Sequence, residues 1–253
     1  YKSGEEYIEI LKIFKQYAPN AKNILDIGCG NGISALSFAI EGYHVTAVEP
    51  DKSETIGAGA IKKLKQHYNL PNIEIFEDFA ENIKFPDNSF DIVFARQSMH
   101  HAHDLQKFVE EMARVLKPGG LFLTVRDHVV FNESDKKRFL ESHPLQKYYH
   151  GENAYKPKEY KNAIAKANLK LIKELKYFDS IINYFPLKST DLEKQKSENI
   201  KSRKESLRGK IGLLSNFKIL LSLYSFILDK KYGKIFDEKN VPGRMYSYIA
   251  LKN

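Results

Sequence analysis

Three glycines at alternate positions, Gly28, Gly30 and Gly32, follow directly on the apolar run Ile24-Leu25-Asp26-Ile27. Glycine lets backbone approach a ligand where a side chain would block it. An apolar run that feeds a glycine turn, with a helix opening near Ile33, reads as buried parallel strand, tight turn and helix. In a doubly wound sheet such a unit floors a ligand site at the carboxyl ends of the strands. Asp26 and Cys29 lie inside it. Glu49 ends the next apolar run, roughly 20 residues on, where a carboxylate suits the two hydroxyls of a ribose. A capping or surface acid is the alternative reading of Glu49, and Asp51 and Ser53 share it. Two further polar clusters follow apolar runs: Arg96-Gln97-Ser98-Met99-His100-His101 after Phe90–Ala95, and Arg126-Asp127-His128 after Leu121–Val125.

These residues need elements to hold them. Strands are expected at Asn23–Ile27, Tyr43–Val48, Ile73–Phe76, Phe90–Ala95 and Leu121–Val125. Helices are expected over 4–17, after the glycines up to Gly42, over 52–67 and over 104–116, with Lys117-Pro118-Gly119-Gly120 as a stop. That alternation implies a parallel sheet with helices on both faces. Tyr7, Ile10, Leu11, Phe14 and Tyr17 give the first helix an apolar stripe. It reads as a packed amphipathic helix or, more sharply, as a lid with Tyr7 touching substrate. Beyond residue 129 the pattern loosens, with a helix from Pro157, a strand near Leu169–Phe178, a polar basic stretch over 188–210 and a closing strand at Arg244–Leu251. No internal repeat is visible.

The 253 residues, 42% of them apolar, suffice for one α/β domain with an elaboration or for two small domains. A single cysteine excludes a disulfide framework and a cysteine-rich metal site, so no metal is expected. Its reduced state suits the cytoplasm, the expected location. The first residue is not Met, so a few residues are expected to precede it, and no signal-peptide pattern opens the chain. The net charge of +8 comes largely from scattered lysines. That produces non-specific attraction rather than a site, and nucleic acid is not the expected partner. Residues 211–228 approach transmembrane length. Ser215, Lys218, Ser222, Ser225 and Asp229 give them one polar stripe, so an amphipathic lid or core helix is expected, with membrane-surface contact as the alternative.

The spacing of the glycines narrows the ligand. A dinucleotide fingerprint places glycines first, third and sixth; counted from Gly28 the sixth position is Ile33, and no Gly-Lys-Ser/Thr of a phosphate loop is present. In order, ILDIGCGNG, VTAVEPD, AENIKFPDNSFDIVFA, the His100-His101 pair and VLKPGGLFL resemble the class I S-adenosylmethionine-dependent methyltransferases over about residues 20–127. The likeness is greatest to the bacterial small-molecule branch that includes the ubiquinone-biosynthesis type. It implies a Rossmann-like, doubly wound, mostly parallel α/β sheet with a helical lid or insertion before the last strand. Residues 1–128 would form the cofactor core with its N-terminal helix. Residues 129–253 would form an acceptor-binding elaboration, with an insertion over about 188–235 and a closing strand of the same sheet.

The resemblance also implies roles. The backbone of Gly28, Cys29 and Gly30 approaches the methionine part of S-adenosylmethionine, and Asp26 engages its ammonium, directly or through water. Glu49 holds the ribose and Pro50 flanks the adenine. Asp78 or Phe79 meets the adenine; an Asp often stands where Phe79 does, so which of the two reads the base stays open. Arg96 and Gln97 reach the methionine end. Such chemistry is mostly positioning, but an alcohol or ammonium acceptor must lose a proton, and histidine suits that task. His101 and His128 are the candidate bases, with His100 and Asp127 beside them as substrate contacts; His103 with Asp104 also reads as a helix start. The irregular, aromatic 143–155 segment is the candidate acceptor pocket, through Tyr148, Tyr149, Glu152, Asn153 and Tyr155, or else a connecting loop.

The expected activity is O- or N-methylation of a small-molecule acceptor. The basic stretch 201–210 suits an anionic one, such as a phosphorylated sugar or a lipid-linked intermediate. An RNA or protein methyltransferase and a non-catalytic cofactor-binding module are the alternatives. Against nucleobase chemistry, no Asn/Asp-Pro-Pro-aromatic run follows strand four, and the only thiol lies in the cofactor loop.

Overall fold

The computed structural model describes residues 1–142, 153–211, 222, 223, 226, 238, 241 and 243–253. Strands β1 (Asn23–Ile27), β2 (His44–Val48), β3 (Ile73–Phe76), β4 (Phe90–Arg96) and β5 (Leu116–His128) run parallel. Strands β6 (Leu169–Leu175) and β7 (Met245–Lys252) complete one seven-stranded sheet of order β3-β2-β1-β4-β5-β7-β6, in which β7 is antiparallel to both neighbours. The fold is the expected Rossmann-like one. Successive side chains of a strand point to opposite faces, and both faces here are covered. Leu25, Ile27, Val93 and Phe122 enter one core, while Ile24, Ile92, Phe94, Leu121 and Leu123 enter the other. Burial on two sides is why β1 and β4 read as continuous apolar runs.

Helices α1 (Glu5–Tyr17) and α2 (Ile33–Ile40) cover the second core, where the ring of Phe38 lies 5.2 Å from that of Phe14 and 5.0 Å from that of Phe94. Helix α3 (Ala58–His67) starts later than the expected residue 52. The chain folds back at Asp51, whose carbonyl accepts from the Ala58 amide at 2.7 Å, and a Cβ at Gly57 would stand 2.2 Å from that same oxygen. Helix α4 (Leu105–Val115) covers the first core and opens on Asp104, which accepts from the Lys107 amide at 3.0 Å. Asp104→Ala is expected to cost about 1 kcal/mol, the ordinary worth of such a cap, read as a lower urea midpoint at unchanged slope.

Strand β5 begins at Leu116, not Leu121, so the Lys-Pro-Gly-Gly stop is part of the strand, with a register shift against β4 between Phe90 and Ile92. Helix α5 (Glu133–Ser142) gives little periodic signal because only Asp135 and Phe139 are buried in it. Helix α6 (Pro157–Lys166) lies where Pro157 places it, and the polar stretch after residue 188 is helix α7 (Ser189–Ile211). Most of 211–228 lies outside the described residues; among those described, no helix is long and apolar enough to cross a membrane.

Candidate cofactor and acceptor site

The chain leaves β1 toward β2 on one side and returns to β4 on the other, which opens a crevice at the carboxyl ends of these strands. A cavity of about 540 Å³ occupies it, lined by Gly28, Gly30, Glu49, Pro50, Asp78, Phe79, Gln97, Ser98 and His101 among others. Gly28 has φ +60°, and a Cβ there would stand 2.1 Å from Ser98 Oγ, so no other residue fits the turn. Gly30, at φ +55°, has only the Ile56 carbonyl near its absent Cβ, at 3.7 Å, which leaves its face open to the cavity. The Cys29 thiol turns inward to the Val48 carbonyl, and burial pushes its pKa well up, so it is an inert side chain on a functional backbone.

Glu49 is held by two amides: Gly30 N donates to Oε2 at 2.7 Å and Asp51 N to Oε1 at 2.9 Å. Burial pushes its pKa up and the two amides oppose that shift. Asp26 is fully buried at the loop's root. Its Oδ2 accepts from Ser34 Oγ at 2.6 Å, and its Oδ1 has no hydrogen-bond partner. Burial raises its pKa to about 7, against the Ser34 hydrogen bond and the Arg96 charge. A buried acid with one oxygen unsatisfied is suited to a cation, and a carboxylate clamped by backbone amides at a cavity wall is suited to paired hydroxyls. The residues present therefore fit the amino and ribose ends of S-adenosylmethionine. At the far end Phe79 is 60% exposed and lines the wall with Ile56, while Asp78 Oδ1 accepts from the Phe79 amide at 2.9 Å. Both Asp78 and Phe79 thus border the cavity.

The histidines separate. His101 is exposed to the cavity and its ring lies 4.1 Å from that of His100. His100 is 2% exposed; its amide and its Nδ1 both lie 3.1 Å from Asp127 Oδ1. Burial raises the pKa of Asp127 to about 7. His128 packs behind, 4.9 Å from the His100 ring and 4.6 Å from that of Phe139. Asp127 therefore orients His100 rather than His128, and the buried His100 and Asp127 do not face a substrate as expected.

Other expectations are corrected by packing. Tyr7 is in the core, its ring 5.7 Å from Phe38, because the stripe of α1 turns that ring toward the sheet. Arg96 does not point freely to the methionine end: Glu6 of α1 holds its Nε at 2.7 Å. Tyr155 donates to the Ala102 carbonyl at 2.7 Å, tying the returning chain down, and Asn153 Oδ1 accepts from the Ala154 amide. Tyr148, Tyr149 and Glu152 lie outside the described residues. Sequence reasoning missed Ser98, Ile56, Ser34 and Glu6. For Glu6 a signal existed, since an acid at position 6 shares the helix face of Ile10, Ile13 and Phe14.

Residues 25–124 match the methyltransferase domain family. Over 112 residues the chain is 39% identical to YcgJ of Bacillus subtilis, an uncharacterized methyltransferase, covering 42% of this chain and 40% of YcgJ. Over 118 residues it is 39% identical to the demethylmenaquinone methyltransferase of Chlorobaculum tepidum, covering 46% of each. The chain thus spans less than half the length of these curated relatives. In three dimensions it resembles the geranyl diphosphate C-methyltransferase of Streptomyces coelicolor, with a TM-score of 0.61 at 15% identity over 96% of this chain and 79% of that one. The glycine loop and the crevice beside β1 thus lie within residues 25–124, the part of the chain that matches the methyltransferase domain family.

Proposed function

We propose that this chain is an enzyme that methylates an oxygen or nitrogen atom of a small-molecule acceptor, using S-adenosylmethionine. The observation that carries this reading is the convergence of the glycine-loop backbone, the clamped Glu49 and the exposed His101 on one cavity. Demethylmenaquinone and geranyl diphosphate, named in two similar proteins, are small molecules and support the small-molecule part of this reading; the geranyl diphosphate enzyme methylates carbon, so the choice of oxygen or nitrogen rests on His101 alone. Residues 1–128 serve as the cofactor half, and 129–253, with the sheet edge β6–β7, as the acceptor half.

When bound, the donor supplies an electrophilic methyl on a sulfonium. Asp26 takes the ammonium at its unpartnered oxygen. Glu49 takes the ribose hydroxyls, pre-oriented by two amides, so little reorganisation accompanies binding. Pro50, Phe79 and Ile56 exclude water from the adenine end. Gln97 borders the cavity at the end of β4 with φ +50°, a strained backbone held by Gln97 N donating to the Val125 carbonyl at 2.9 Å. His101 holds the proton of an alcohol or ammonium acceptor. His101→Gln is expected to lower kcat about tenfold while leaving the cofactor KM nearly unchanged, a modest share of what general bases contribute.

The direct test is calorimetry with S-adenosylhomocysteine, followed by methyl-transfer assays with labelled S-adenosylmethionine against a panel of alcohols, amines and prenyl or phosphorylated acceptors. No heat of binding at millimolar ligand would overturn the reading.

A further inference from the structure

The first turn of helix α1 reaches the carboxyl ends of β4 and β5, where its Glu6 is buried between two arginines. Glu6 is 1% exposed. Its carboxylate accepts from Arg96 Nε at 2.7 Å and Nη2 at 3.3 Å, and from Arg126 Nη1 at 2.8 Å. Tyr1 and Phe185 close over the group, with the Arg96 guanidinium 5.2 Å and 5.4 Å from their ring centres and that of Arg126 5.8 Å from Phe185. Two guanidiniums, that of Arg126 buried and that of Arg96 15% exposed, therefore share one carboxylate, and Arg126 Nε is buried without a hydrogen-bond partner. Burial pushes the Arg126 pKa down, Glu6 counters it, and the Arg96 charge lowers it further.

The backbone delivers this second arginine at a cost. Arg126 has φ +64° and sits where the β5–β7 register shifts between Thr124 and Asp127, its amide donating to Ser247 Oγ at 3.1 Å. Such bulges re-aim a side chain, and a non-glycine residue in the left-handed region is strained. Tying α1 to the sheet needs one satisfied arginine on regular backbone, not a second one left short of an acceptor. The location is also informative. Arg96 directly precedes Gln97 of the cavity wall and donates to its Oε1 at 3.3 Å, and Asp26 lies within reach of the Arg96 charge. The pair therefore stands next to the cavity wall at Gln97, at the carboxyl ends of β4 and β5.

We propose that Arg96 and Arg126 form an anion subsite for a carboxylate or phosphate of the acceptor, and that Glu6 fills it in this structure as a stand-in which the acceptor displaces. This rests on the methyltransferase reading. The planar guanidinium forks match either anion in two-point fashion. Displacement moves the first turn of α1, whose Glu5 also accepts from the Ser189 amide at 2.8 Å, so opening couples to the start of α7.

The test is calorimetry on the full chain saturated with S-adenosylhomocysteine, with pyrophosphate and hexanoate as probes. Glu6→Gln removes the competing charge and is expected to tighten pyrophosphate or hexanoate at least tenfold, roughly what one charge-assisted contact is worth. Arg126→Gln is expected to abolish that binding in either background. Should Glu6→Gln be poorly stable, pyrophosphate is expected to raise its Tm more than that of the parent; equal shifts overturn the proposal. An affinity for both probes unchanged within about twofold in Glu6→Gln, or one that survives Arg126→Gln, overturns it as well. A loss of S-adenosylhomocysteine affinity in Arg126→Gln that is absent for its decarboxylated analogue would assign the pair to the cofactor's carboxylate and overturn it too. If the parent chain binds no S-adenosylhomocysteine, the methyltransferase reading fails by itself, and the same titrations without it still decide the subsite.

Discussion

Glu49→Ala is expected to weaken S-adenosylhomocysteine binding about 100-fold, some 2.7 kcal/mol, with the fold retained. Two losses add. The ribose hydroxyls lose a charged acceptor, which is worth more than a neutral one. The amides of Gly30 and Asp51, which donate to the two oxygens of this carboxylate, lose the group that fixes the loop before the ligand arrives. Glu49→Gln separates the two effects. A glutamine has one acceptor oxygen, so it can satisfy one amide and must turn an NH2 toward the other. It is expected to fall between the parent and the alanine variant. Calorimetry at fixed pH with S-adenosylhomocysteine reads both variants. An alanine variant that binds within about threefold of the parent would remove Glu49 from the ribose role.

Asp26→Asn is expected to abolish measurable cofactor binding and to flatten the dependence of stability on pH. Burial raises the Asp26 pKa to about 7 in the folded chain, whereas an unfolded aspartate titrates at about 3.9. Between those values the native state holds a proton that the unfolded state has released. Stability linked to Asp26 is therefore full below about pH 4 and falls as pH rises toward 7, the sign that follows when the native state binds more protons. Urea unfolding of the parent at pH 5 and pH 8 should show this loss, of the order of 2 kcal/mol from this residue, and the variant should lack it. Asp127 carries a similar shift and remains in both proteins, so the comparison isolates Asp26. For the parent, affinity for S-adenosylhomocysteine is expected to rise as pH passes upward through 7, because only the ionised acid attracts an ammonium. A parent whose stability does not fall between the two pH values, or a variant that binds the ligand normally, contradicts this account.

The strands and loops around the crevice were largely legible in the residues because each of these elements is dictated locally. Ile24–Ile27 and Phe90–Ala95 are apolar at every position or nearly so, which only a strand buried on both faces requires. Gly28 is demanded by its own φ and by Ser98. Glu49, Pro50, Asp78 and Phe79 border the cavity because they lie within three residues past the carboxyl ends of their strands, and counting finds such positions. Elements without a periodic apolar face, α5 above all, were not legible.

By itself, then, the sequence determined the parallel sheet, the glycine turn and the acids that border its crevice, since a residue's place along a strand decides which end and face it occupies. Only the tertiary structure decided partnerships between residues far apart in the chain. Glu6 meets Arg96 and Arg126 across separations of 90 and 120 residues, and Asp127 takes His100 rather than its neighbour His128. A bulge that turns one side chain over, and a helix face that buries an acid, depend on what packs opposite. Local spacing carries no trace of that until the chain has folded.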